Sequence, residues 1–65
     1  MTPDYLQITK TQFIDTLVAY FKAPQGSDSQ KYHYNQACAL RTLLELFGLD
    51  HMDIEVLENI ARASK

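Results

Sequence analysis

Cysteine occurs once in the 65 residues, at Cys38, tryptophan is missing, and glycine and proline occur twice each. A lone cysteine excludes an internal disulfide, so a chain too short to bury a large core must be held by well-packed helices, a metal or a partner. It also favours a reducing cytoplasm. Long apolar runs are absent, and Met1-Thr2-Pro3-Asp4 lacks the basic n-region of a secretion signal. The chain is therefore expected to be cytoplasmic, with no membrane partner. A basic excess is missing as well: six Lys and Arg against eight Asp and Glu give a net charge of -2. Such a balance offers no general attraction to phosphate backbones, and nucleic acid is an unlikely partner on this ground.

What is present is the composition of a folded domain, 46% hydrophobic and 22% charged, in a length that allows one domain, residues 1–65. No repeat or low-complexity segment occurs. Turn formers concentrate in Ala23-Pro24-Gln25-Gly26-Ser27-Asp28 and in Gly48, which divides the chain into three segments with helical periodicity.

The first helix is expected over about 10–22. Thr9-Lys10-Thr11-Gln12 fits a capping box, Ile8 and Phe13 would form its hydrophobic staple, and Phe13, Ile14, Leu17, Val18 and Phe21 recur on one face. A separate short turn from Thr2-Pro3 to about Tyr5-Leu6 is suggested by proline at a first helical position. The second helix is expected over about 30–47, with Ser27, Asp28 and Ser29 competing as caps and Ser27 through Gln30 fitting the S-x-x-Q box. His33, Ala37, Leu40, Leu44 and Phe47 share a face, and a second row through Tyr32, Ala39 and Leu46 widens the apolar arc beyond the stripe of a surface helix. This reading makes the second helix the central one.

Gly48 should close that helix in a Schellman turn with Leu49 folding back onto Leu44. Asp50 should cap a third helix over about 51–63, with Leu49 and Ile54 as its staple and Glu58 and Arg62 in ion-pair register. The fold expected is all-α: a small three-helix bundle in which the second and third helices form a tight helical hairpin.

Chemistry-bearing constellations are few. His33, Cys38 and His51 have ligand chemistry, but His33 and Cys38 stand ~140° apart on a helix and no carboxylate completes a ligand spacing. No metal and no cofactor is expected. His33 reads as a boundary histidine with a satisfied hydrogen bond and Cys38 as a small, semi-buried hydrophobe. No nucleophile stands in register with a base and an orienting group, so the chain is not expected to be an enzyme.

Leu43, Phe47, Gly48, Leu49, Ile54 and Leu57 occupy the positions of a helix-turn-helix unit: an apolar first helix, glycine in the turn, and apolar anchors in the second. Leu43 to Leu57 thus resembles helix-turn-helix DNA-binding domains, which would imply a DNA-binding regulator with Lys31, Arg41 and Arg62 on the phosphates. Two departures stand against it. Leu44 replaces a small residue, and the reading helix would present His51, Asp53, Glu55 and Glu58 to DNA.

The remaining signal is for protein contact. Tyr34 and Arg41 lie on one flank of the second helix near Cys38, Tyr32 lies on the other with Ala39 and Leu46, and Tyr and Arg are enriched in interfaces. The expected function is a small, non-enzymatic protein-protein interaction or regulatory module that self-associates as a homodimer. Its interface residues are Tyr32, Tyr34, Ala39, Arg41, Leu43 and Leu46, with Met52 and Val56 on the third helix. Two alternatives are kept: the helix-turn-helix regulator, and an acidic inhibitor that occupies a basic nucleic-acid site on a partner protein through Asp53, Glu55 and Glu58.

Overall fold

Asp4 opens the first helix. In the computed structural model, which describes residues 4–64, its Oδ1 accepts a hydrogen bond from the Gln7 backbone amide at 3.1 Å and caps helix α1, Tyr5–Lys22. The expected start at Thr9 is therefore corrected. Thr9 lies inside α1, buried, with its Oγ1 donating to the Tyr5 carbonyl at 2.7 Å. A hydroxyl bonded back to the carbonyl four residues earlier is satisfied within a continuous helix, so no break is required there. Ile8 is exposed rather than stapled, and the turn suggested at Thr2-Pro3 lies outside the described residues.

The helix stops where the sequence says it should. Ala23 is extended, as a residue before proline prefers, and its amide still donates to the Ala19 carbonyl at 3.0 Å. A turn closed by Ser27 N to Pro24 O at 3.1 Å, with Gly26 at φ 79°, leads into α2, Asp28–Leu46. Ser27 wins the competition for the cap, accepting from the Gln30 amide at 3.1 Å. The Gln30 side chain accepts from Gly26 N at 2.7 Å, one residue before the donor that a capping box would use.

The second junction forms as expected. Gly48 takes φ 103°, its amide donates to Glu45 O at 3.0 Å, and Leu49 N donates to Leu44 O at 3.1 Å. These two bonds are the Schellman pair. Asp50 and Asp53 then exchange side chain to backbone hydrogen bonds, Asp53 N to Asp50 Oδ1 at 2.9 Å and Asp50 N to Asp53 Oδ2 at 3.3 Å. This box opens α3, His51–Ser64.

The three helices make an all-α bundle with extents of 38 × 20 × 20 Å. Phe13 of α1, Ala37 and Leu44 of α2, and Ile54 and Leu57 of α3 form the buried cluster, with Leu6, Ile14, Leu17, Leu40 and Leu49 packed around it. The centre of the bundle is α1, not α2. It packs along both other helices, whereas the α2 and α3 backbones come close at few points. The connection is short, as a tight hairpin needs, but beyond it the two helices diverge over α1. The earlier start explains the change: Leu6 and Thr9 lengthen the inward stripe of α1 until it serves two partners. The second apolar row of α2 is left uncovered.

Candidate interaction surfaces

Two sides of α2 carry the side chains of interest, and they face different surroundings. On the first side, Ala39 and Leu40 meet Gln12, Asp15 and Thr16 of α1 along the seam between the antiparallel helices. One and two turns onward along α2 stand Leu43, Leu46 and Phe47, all exposed, with Leu46 at 79%. On α1, Ile8 and Tyr5 precede Gln12 by four and seven residues and are exposed too. Antiparallel packing brings these two helix ends to the same end of the seam. Tyr32 lies on this side of α2 by register and accepts a hydrogen bond at its hydroxyl from Gln36 Nε2 at 3.1 Å.

The opposite side of α2 holds Tyr34, Cys38 and Arg41, which wall a groove with a volume of about 180 Å³. Because α2 and α3 diverge, part of α1 remains visible between them: Leu17 and Phe21 make the floor over the buried Phe13. Glu58 and Arg62 of α3 form the far wall. The Tyr20 and Tyr34 rings pack at 5.8 Å between centroids, closing one end. The Tyr34 phenol is held above its ordinary pKa, first by hydrogen bonding with the Cys38 thiol and next by that group's charge, with Arg41 opposing. Cys38 itself is exposed, which corrects the semi-buried reading.

The expected interface set is thus divided. Tyr32, Ala39, Leu43 and Leu46 stay together on the seam side, while Tyr34 and Arg41 belong to the groove. Met52 and Val56 sit apart on α3, exposed at 73% and 57%, in a stripe that Ile60 continues at spacings of four residues. The acidic residues are divided as well. Asp53 is engaged in the helix cap and stands with Lys10, Leu49 and Val56, Glu58 faces the groove beside Arg62, and the exposed Glu55 lies ~160° around the helix from Asp53 and ~60° from Glu58. They do not make one face.

His33 also differs from expectation. Its Nδ1 is buried with no hydrogen-bond partner among the described residues, and its ring meets Tyr32 edge-on at 5.4 Å. Among the described residues no group of three His, Cys, Asp or Glu is placed to hold a metal ion, and no helix is long and apolar enough to cross a membrane. As for the helix-turn-helix resemblance, Gly48 closes α2 in a tight turn, but α2 and α3 do not stay packed on each other beyond it.

Ile8 and Phe47 on the seam and Phe21 in the groove are residues that sequence reasoning placed elsewhere, as staple or core-face residues. A signal existed for Ile8. Asp4-x-x-Gln7 has the spacing of a helix start, and a helix from Tyr5 puts Ile8 one turn from Tyr5 and ~140° from Phe13. No protein-family model, no curated protein and no solved structure matches the chain, so the functional argument rests on these surfaces.

Proposed function

We propose that the protein is a small, non-enzymatic interaction module that self-associates through the seam side of α2, working in a regulatory role in a reducing cytoplasm. One observation carries the reading: side chains as large as Leu43, Leu46, Phe47, Ile8 and Tyr5 are 46% to 79% exposed at one end of one seam. Scattered apolar residues are ordinary on a surface, but a contiguous group marks a contact site. Among the described residues only six hydrophobics are buried in the core, Ala37 and Ala61 among them, and covering the seam groups would enlarge that thin core.

A second copy is the simplest cover, because a twofold axis pairs the same patch with itself. A standard interface takes ~800 Å² from each partner, about a sixth of the 4690 Å² surface of the chain. The single exposed thiol of Cys38 is compatible with a compartment that keeps thiols reduced. Sedimentation equilibrium tests the reading. A monomer-dimer equilibrium is expected at micromolar concentration, shifted to monomer by Leu43→Glu with Leu46→Glu. A wild-type chain that stays monomeric at high micromolar concentration contradicts it.

A further inference from the structure

The groove on the other side of α2 has a different chemistry. Its floor is aromatic and aliphatic, Leu17 and Phe21, yet its two walls carry Arg41 and Arg62 across from each other. Two of the six cationic side chains of a net acidic protein thus flank one small apolar space. Neither guanidinium is used up by its neighbours. Arg41 reaches Glu45 through Nε at 3.4 Å, and Arg62 reaches Glu58 at 4.0 Å and Asn59 at 3.2 Å. A guanidinium has five N–H donors in a planar fork suited to a carboxylate, so donors remain on both. Glu58 is the one carboxylate on the wall itself, and its long contact to Arg62 is one that an incoming carboxylate can replace.

Size selects the class of ligand. A volume of about 180 Å³ corresponds to roughly six water volumes, enough for one aromatic ring or a short alkyl chain. A docked helix, ~10 Å across with its side chains, does not fit. We propose that this groove binds a small free amphipathic carboxylate, its ring or short chain on the Leu17 and Phe21 floor and its carboxylate between Arg41 and Arg62. The site is separate from the self-association patch, since Tyr34, Cys38 and Arg41 face away from Tyr32, Ala39 and Leu46 on α2. Binding is therefore independent of whether the chain dimerises.

Phenylacetate, with phenylacetamide as its neutral counterpart, is the probe, followed by two-dimensional amide NMR of the full chain. The acid should produce saturable shifts centred on Phe21, Cys38, Arg41 and Arg62, with a dissociation constant of about 1 mM or tighter. Replacing Arg41→Gln and Arg62→Gln together should weaken it about tenfold or more, since both charge-assisted contacts are lost, and phenylacetamide should bind the wild type no better than that. Cys38→Trp, which builds a ring into the groove from an exposed position, should abolish the shifts while the helical circular dichroism is retained. Equal binding of acid and amide, or the same amides shifting in the Cys38→Trp chain, would overturn the assignment. So would a peptide ending in phenylalanine with a free carboxylate that binds about tenfold, or 1.4 kcal/mol, tighter than phenylacetate, because a polypeptide end would then be the better occupant.

Discussion

Leu44 and Leu46 are the same residue type, two positions apart on α2, yet the first is fully buried and the second is 79% exposed. Their difference is one of helical phase. Two residues are ~200° of rotation, which turns one leucine onto Phe13 and Ile54 and the other away from every element of the fold. The contrast extends along the helix: Ala37 and Leu44 hold the bundle, while Leu43 and Leu46 are exposed. A helix that is apolar over half its circumference needs two covers. Here α1 supplies one, and α3, diverging from α2, does not supply the other.

The comparison breaks most sharply under truncation. Leu44→Ala should cost ~2–5 kcal/mol, most of the stability available to so small a domain, and thermal melts followed by circular dichroism should show a chain largely unfolded at room temperature. Leu46→Ala should leave the melting of the dilute monomer nearly unchanged. A Leu46→Ala chain that loses as much as Leu44→Ala would mean that α3 or α1 covers Leu46 after all.

Smaller effects separate the two candidate starts of α1. Asp4→Ala should cost ~1 kcal/mol through loss of the cap, whereas Thr9→Ala removes only a hydroxyl bonded within its own helix and a methyl group. Urea titrations of both variants check the order. If Thr9→Ala loses helix content at its N-terminal end and Asp4→Ala does not, the helix starts where the Thr9 box suggested.

The smallest effect is on the groove side. Tyr34 should titrate above its ordinary value, and Cys38→Ala should lower it, as ultraviolet absorbance of tyrosinate would record. The sign follows from the fold favouring the neutral phenol. That contribution is complete below the unfolded-state pKa and is lost as pH rises through the higher folded-state value. An unchanged titration in Cys38→Ala would show that the thiol is not its cause.

Much of the fold was legible because it rests on local chemistry. Gly48 with Leu49, Asp50 with Asp53, and Ala23 before Pro24 each specify a helix end through bonds among near neighbours, and each is realised. The start of α1 was misread because two boxes compete within nine residues and the buried Thr9 hydroxyl is as well satisfied inside a helix as at its end. The identity of the central helix was not legible at all. It depends on how α2 and α3 cross, a long-range property that the wide apolar arc of α2 leaves undetermined. The interface set was legible as two flanks of α2, Tyr34 with Arg41 and Tyr32 with Ala39 and Leu46, because helical phase alone separates them; that one flank borders a groove and the other a seam depends on where α1 and α3 lie.

The most direct test of the uncovered seam is the concentration dependence of the amide NMR spectrum. On raising the protein from low to high micromolar concentration, shifts or broadening should gather at Ile8, Tyr32, Ala39, Leu43 and Leu46, and spare Tyr34, Cys38 and Arg41. Changes confined to the groove or to the Met52, Val56 and Ile60 stripe, or no change at all, would contradict the account.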